Sequence, residues 1–576
     1  MLDVTEPDWA EEVDLLVIGG GAAGMTAALV GALEGLETVL CEKTDMVGGI
    51  TSTSGGTTWI PGSSQSVKAG VPDTVAAAQT FLDAVVGSRG GDAERRAFLE
   101  AAPKAIDYLE ARSDLLFEAS KAHPDYIKDK PGAAYGGRAL APLPFDGRKL
   151  GADFARVRPP RPDFMVLGGM MVTRGDIPFL LRPFRSVQNF MHVAKLLTRH
   201  AMDRLRHKRG TNLVMGNAIV ARLLYSLRNQ KVPIRFHTSL AELVTDGGRV
   251  IGARFDTRQG RISIRARRGV VLATGGVCWN EKLRGKLFPA PAQPHSLAPE
   301  TNTGDGVATA LRSGATLDDK MDSPGLWMPC SIMKWPDGRT SVYPHIILDR
   351  SKPGLIAVNK SGRRFVNESD SYHDFVMAML RANESVPSVP AYLICDRSFI
   401  RDYGIGVVHP GTKDLKPFLK AGYLTEADTL RGLAGRIGVD PGEFEQTVAR
   451  HNRYAETGVD EEFGRGTSDL NRINGDPANK PNPCMRSIGQ GPFFAVAVVP
   501  ADLACSAGLC GDGNARVLGK DGQPIEGLYA CGNDLASIFR GTYPGPGTTL
   551  GPAIAFGYKA AMHAAGRVSA ETAATR

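Results

Sequence analysis

The sequence predicts an α/β protein in which a mostly parallel sheet belongs to a discontinuous domain, interrupted by an inserted α+β domain. Three observations predict this. Residues 13 to 42, "VDLLVIGGGAAGMTAALVGALEGLETVLCE", read as strand, glycine turn, alanine-rich helix and second strand. Two further strand-to-glycine turns, "RGVVLATGG" at 268 to 276 and "IEGLYACGND" at 525 to 534, recur far downstream. The long interval between them has a different character, so the chain leaves the sheet and returns to it.

Each part of the first segment has a task in a Rossmann-like dinucleotide site. Gly19 makes the tight turn, Gly21 lets backbone approach a pyrophosphate, and Gly24, beside Ala23, lets helix pack on strand. The helix N-terminus offers free N–H groups and the positive end of its dipole. Glu42 closes the second strand, where a carboxylate takes ribose hydroxyls. Lys43, Gly49, Thr51, Ser52, Gly55 and Gly56 follow at once, in a stretch suited to further phosphate and ribitol contacts. The later turns add Ala273, Thr274 and Gly275, then Gly532 and Asn533, and a last helix opens near Thr548 to Pro552, with Thr549 and Leu550 at its start. Turns so far apart converging on one sheet suit FAD better than NAD. The first histidine is His123, well past the fingerprint, so FAD is expected to be non-covalent.

The expected division is 1–300 for the first part of the FAD-binding domain, 301–489 for the catalytic domain, and 490–576 for the second part of the FAD-binding domain. Within the first part, "DGGRVIGARFDTRQGRISIRARRGVVLATGG" predicts a meander with turns at Asp246-Gly247-Gly248 and Gln259-Gly260. A basic helical excursion spans about 180–232. From Arg182 to Lys231 there are eleven basic side chains against the single acid Asp203, so the net charge of +7 belongs to this segment. Val187, Phe190, Met191, Ala194, Leu197 and Met202 recur there at helical spacing. A basic amphipathic helix is suited either to a membrane surface or to packing on the protein's own core. No nucleic-acid motif accompanies the charge, so nucleic acid is not an expected partner.

The start is acidic and enters a strand directly, and no apolar run is long enough to span a bilayer. A cytoplasmic protein is expected, with a candidate peripheral contact at the inner face of the membrane through 182–231. The eight cysteines show no CxxC pair and no Cys/His spacing, so neither a metal site nor a structural disulfide is expected.

With these motifs the chain resembles the fumarate reductase/succinate dehydrogenase flavoprotein superfamily and, within it, the 3-ketosteroid Δ1-dehydrogenases. The resemblance runs over nearly the whole length. It rests on the N-terminal fingerprint, "HPDYIKDKPGA", "KPGLIAVNKSGRRFVNESDSYHDF", "GQGPFFAVAV" and "GLYACGND…GTYPGPGTTLGPAIAFGY". The resemblance implies a tyrosine base that removes a proton from C2 of the steroid A ring while flavin N5 takes hydride from C1. It also implies a second tyrosine beside the base, and a tyrosine with a glycine N–H on the C3 oxygen. Matched by motif, these are Tyr372, Tyr126, Tyr543 and Gly547 in that order. Electrons then pass to a quinone or other acceptor.

The residue chemistry suits those roles. A C–H beside a ketone is a poor acid unless the forming enolate is stabilised, and "YPGPG" combines fixed prolines with glycines of open backbone. A dicarboxylate would need cationic clamps, yet the first arginine after Glu368 is Arg381, which favours a neutral ketone. Arg364, Asn367 and Glu368 read as scaffold and His373 as structural, while Tyr135, Tyr343 and Trp327 are candidate pocket linings. Two alternatives stay open: a flavin enzyme acting at another ring position or on another hydrophobic enone, and a flavin electron-transfer subunit.

Overall fold

The computed structural model describes residues 8–127, 129–173, 175–176, 179–180, 183–346 and 349–567. The fingerprint forms as its chemistry dictates. The apolar run becomes strand β1 (Glu11–Ile18), the alanine-rich stretch helix α1 (Ala22–Leu33), and "TVLC" strand β2 (Thr38–Cys41). Gly19 takes φ +112°, and a Cβ there would stand 2.2 Å from the Ala273 carbonyl oxygen. At Gly24 a Cβ would meet the Gly19 carbonyl oxygen at 2.0 Å, which is why α1 can lie directly on the turn.

The chain then passes through the basic helix α2 (Val187–Arg204) and the buried helix α3 (Met215–Asn229) to the short strand β3 (Ile234–Arg235). The expected meander follows as β4 (Ser239–Asp246), β5 (Arg249–Thr257) and β6 (Gly260–Leu272). The sheet order is β3-β2-β1-β6-β5-β4, parallel from β3 to β6 and antiparallel across the meander.

The second sheet is antiparallel. Its strands are β7 (Gly325–Lys334), β8 (Thr340–Pro344), β9 (Leu355–Val358), β10 (Ala391–Asp396), β11 (Leu424–Ala427) and β12 (Phe493–Cys505), with helix α4 (Tyr372–Asn383) packed on β7. The long β12 is its spine: Val499–Cys505 pair with β7, and Phe493–Val498 pair with β10. The expected division at 490 therefore runs just before a strand whose named partner strands, β7, β10 and β11, lie in the second sheet. The chain rejoins the first sheet at β13 (Arg516–Leu518) and β14 (Pro524–Ala530), the latter parallel to β6. Helix α5 (Leu550–Ala564) then closes against α1, so tightly that a Cβ on Gly557 would stand 2.6 Å from the Ala23 carbonyl oxygen. The whole is a discontinuous Rossmann-like domain with an inserted α+β domain.

Candidate active site

Four backbone turns converge at the C-terminal ends of β1, β2, β6 and β14, the edge at which parallel sheets bind ligands. At the first, Thr51 Oγ1 accepts the Ala22 N–H at 3.1 Å, so a hydroxyl stands at the open N-terminus of α1. Glu42 lies against the fingerprint, where its Oε2 accepts the Gly20 N–H at 2.9 Å and its Oε1 accepts the Thr44 N–H at 2.9 Å. A Cβ on Gly21 would meet nothing within 4 Å, and one on Gly49 would meet only the Gly21 Cα, at 3.9 Å. Ser52 is fully buried, yet its hydroxyl finds no partner among the described residues. An open glycine cradle beside an orphaned hydroxyl and a helix N-terminus fits a dinucleotide pyrophosphate.

Other expected cofactor residues are engaged by protein partners. Lys43 is bound to Asp305 and Thr303, each at 2.7 Å. Thr274 is held by Asp534, which takes its N–H at 2.5 Å and the Gly276 N–H at 2.8 Å. Burial pushes the Asp534 carboxyl up, and those two N–H bonds oppose it. A Cβ on Gly275 would strike Asn302 Nδ2 at 2.3 Å, and one on Gly56 would strike Met215. Both glycines therefore shape the loops. Gly55 is exposed and Ala273 and Leu550 are buried. Gly532, Asn533 and Thr549 instead line one cavity, together with Leu326, Cys505, Ser537, Thr548 and Pro552.

Leu326 links that cavity to the tyrosines. On β7, Leu326, Met328 and Cys330 alternate onto one face and pack with Leu297, Ala501, Ala504, Tyr372 and Tyr543, with Tyr126 partly buried at the edge. Sequence separation vanishes here. The Tyr372 hydroxyl donates to the Tyr543 hydroxyl at 3.0 Å, the Tyr126 ring stacks on Tyr543 at 5.8 Å, and it meets Tyr372 edge-on at 5.7 Å. Burial drives the Tyr372 phenol far up, and the neighbouring Tyr126 and Tyr543 add to this. Burial also raises Tyr543, while the Tyr372 hydrogen bond and the Thr548 hydroxyl pull the other way.

Each phenol is held from outside the cluster. Tyr372 opens α4 behind the Ser371 cap, whose side chain accepts the Asp374 N–H. The Tyr126 N–H donates to the Pro544 carbonyl at 2.8 Å. Its neighbour Asp125 is buried and bonded to Trp59 Nε1 at 2.9 Å, Arg138 Nη1 at 2.6 Å and the Ala134 N–H at 3.0 Å. Gly547 takes φ +90°, and a Cβ there would stand 2.4 Å from the Thr57 carbonyl oxygen. The Gly547 carbonyl accepts the Trp59 and Gly551 N–H groups, whereas its own N–H finds no acceptor among the described residues.

His373 has the structural place expected of it. Its Nδ1 accepts the Trp327 N–H at 3.2 Å, which leaves Nε2 to donate to the Gly541 carbonyl at 3.1 Å. Burial depresses its pKa, consistent with that neutral form. Arg364 binds Glu368 and Asp460, and Asn367 binds Asn471, all as scaffold. Trp327 is buried, with its Nε1 on Ser323, and Tyr343 packs on His345, while Tyr135 is half exposed. The sequence reading missed Asp125, Asp305, Asp534, Cys505 and Leu326.

Comparison with known proteins agrees with this architecture. Residues 14–550 match the family model described as FAD binding domain. The chain is 36% identical over 568 residues to the 3-oxosteroid 1-dehydrogenase of Mycobacterium tuberculosis, covering 96% of this chain and 98% of that one. It is also 36% identical over 560 residues to the 4-oxocyclohex-2-ene-1-carboxylate 5-dehydrogenase of Sinomonas cyclohexanicum, covering 97% and 94%. The crystal structure of the 3-ketosteroid Δ1-dehydrogenase of Sterolibacterium denitrificans, in complex with 1,4-androstadiene-3,17-dione, superimposes with a TM-score of 0.90. That protein is 35% identical, and the match covers 97% of this chain and all of that one. The cofactor is FAD and the protein is an oxidoreductase acting on CH–CH bonds. The chain belongs to the FAD-binding family of flavoproteins that contains the 3-oxosteroid 1-dehydrogenases.

Proposed function

We propose that this enzyme introduces the C1–C2 double bond of 3-ketosteroids. The observation that carries the reading is the 3.0 Å contact between Tyr372 and Tyr543 inside an apolar cluster that shares Leu326 with the cofactor cavity. The Tyr543 hydroxyl and the Gly547 N–H bind the C3 ketone oxygen, Tyr372 receives the C2 proton, and Tyr126 supports Tyr372 through its ring. FAD, bound without a covalent link, supplies the hydride acceptor.

The hydrogen-bond direction matters for the base. A buried phenolate is costly, and burial is the largest cause that raises the Tyr372 phenol. Because Tyr372 donates to Tyr543, its hydrogen moves toward Tyr543 as Tyr543 shifts its own toward the ketone oxygen. The C2 proton then arrives on the Tyr372 oxygen as that oxygen loses its first hydrogen. The enol forms and the cluster stays neutral. As hydride leaves C1, the enol hydroxyl returns its hydrogen to Tyr543, the relay runs back, and Tyr372 releases one proton to solvent, which restores the 3-ketone.

Anaerobic mixing of the yellow holoenzyme with androst-4-ene-3,17-dione, 4-oxocyclohex-2-ene-1-carboxylate or succinate tests the reading. Flavin bleaching by the steroid, with the 1,4-diene as product, is expected. Bleaching by the carboxylate alone would replace the substrate class, and bleaching by none would favour an electron-transfer subunit. Reoxidation by a soluble quinone analogue tests the proposed quinone acceptor.

A second reading concerns place. Among the described residues, the apolar face of α2 and its flanks stands exposed. Val187 is 76% exposed and Met191 64%, while Phe184 just ahead of the helix is 85% exposed and Leu205 just beyond it 84%. Lys195, Arg199, Arg204 and Arg206 lie along the same helix and its end. Among the described residues no helix is long and apolar enough to cross a membrane. Such a surface suits peripheral contact with the anionic inner face of a membrane, from which an apolar steroid or quinone can be drawn. Binding to anionic vesicles that weakens with salt supports it, and no binding at low salt removes it.

A further inference from the structure

We propose that Arg161 reads a neutral oxygen at the far end of the steroid, around ring D, and so sets which 3-ketosteroids are used. The inference rests on the proposed function above and deepens it. Strand β7 acts as a ruler: Leu326 lies at the cofactor cavity, Met328 follows, and Cys330 comes four residues on. At strand rise this places Cys330 roughly 13 Å beyond Leu326, a span that suits a fused four-ring skeleton rather than one ring. The far wall is β8, where Val342, packed on the same apolar cluster, pairs with Ile332.

Arg161 stands at that wall. Its Nη2 donates to the Val342 carbonyl and to Asp163 Oδ2, and its charge acts on the Cys330 thiol, tending to lower a pKa that burial raises. The side chain is only 17% exposed. Its Nε is buried with no partner among the described residues. A guanidinium carries five donors in a rigid fork, and leaving one of them buried and idle is costly unless a ligand takes it. Asp163 offsets the charge, so the pair suits a ketone or hydroxyl better than a carboxylate.

The test uses holoenzyme and two substrates that differ at one atom, androst-4-ene-3,17-dione and androst-4-en-3-one. Wild type should favour the 17-oxo steroid in kcat/KM. Arg161→Met should remove that preference, with roughly a ten- to hundredfold loss on the 17-oxo steroid, mainly in KM. The 17-deoxy steroid should be nearly unaffected, and Arg161→Lys should recover part of the loss. Equal losses on both substrates, or a wild type indifferent to the C17 oxygen, would overturn the assignment even if Arg161→Met folds poorly. If neither steroid bleaches wild-type flavin, the function itself fails, which is a separate outcome.

Discussion

Replacing Tyr372 with phenylalanine removes one oxygen from the centre of the apolar cluster and leaves the ring in place. Two losses coincide there. The atom proposed to receive the C2 proton disappears, which for a general base costs typically about 10²- to 10⁴-fold. The donor to Tyr543 disappears with it, which weakens the hydroxyl proposed to hold the developing oxyanion, a smaller loss than the roughly 10²- to 10³-fold of removing that hydroxyl outright. The two phenols are bonded at 3.0 Å and act as one unit, so these factors do not multiply. A fall in kcat of about 10³-fold or more is expected. Stability should drop by only ~1 kcal/mol, because one neutral hydrogen bond is lost and Tyr543 keeps the Thr548 hydroxyl nearby. The assay is anaerobic flavin bleaching under stopped flow, with visible absorbance to confirm bound FAD and a thermal melt to confirm the fold. Tyr543→Phe should fall by a similar factor, and the double variant should be little worse than either single one. Near-normal bleaching by Tyr372→Phe, or fully multiplicative losses in the pair, would refute the coupled-phenol reasoning.

Three further outcomes follow from the geometry. Gly547→Ala should lower the melting temperature as well as turnover, since the new Cβ must sit 2.4 Å from a backbone oxygen at φ +90°. Gly21→Val should fold with near-normal circular dichroism yet purify colourless, because its Cβ meets nothing within 4 Å and the added side chain would fill the open cradle proposed for the pyrophosphate. His451 is fully buried, its Nε2 lies on the Arg486 carbonyl, and desolvation depresses its pKa to about 4. A depressed histidine contributes stability that is complete above its unfolded value near ~6.5. That stability is lost as pH falls toward 4, by roughly 3 kcal/mol over the window. His451→Gln should flatten that part of the melting-temperature profile between about pH 7 and pH 4.5.

What the sequence made legible depended on how local the physics was. The fingerprint, the meander turns and the last helix rest on residues within a few positions of one another, so Gly19, Gly24 and Gly247-Gly248 announced their structure directly. The tyrosines did not. Tyr126, Tyr372 and Tyr543 sit on three distant segments, and nothing in their own neighbourhoods says that their rings touch. Only resemblance paired them. Asp125 was beyond reach for the same reason, since its meaning lies in Trp59 and Arg138. The spine strand β12 was invisible as a boundary marker, because an apolar run states that it is buried and not which sheet buries it.

Helix α2 marks the sharpest limit of that reasoning. Periodicity located its apolar face correctly, but the spacing of apolar residues carries no information on what lies against them. The structure leaves Phe184, Val187 and Met191 open while burying Val193, His200 and Asp203 behind them. The helix is therefore anchored largely by its polar side, where the Asp203 carboxylate accepts the Thr211 N–H at 2.8 Å. A surface helix held by its polar residues and open on its apolar ones inverts the usual arrangement of a soluble protein. Burying such side chains contributes about 25 cal/mol per Å², so continued exposure in water is a standing cost that a lipid surface would remove. The chain leading up to this helix supplies Arg161 at the wall of the apolar cluster. One stretch of backbone thereby joins the face on which a steroid would arrive to the wall against which its far end would rest.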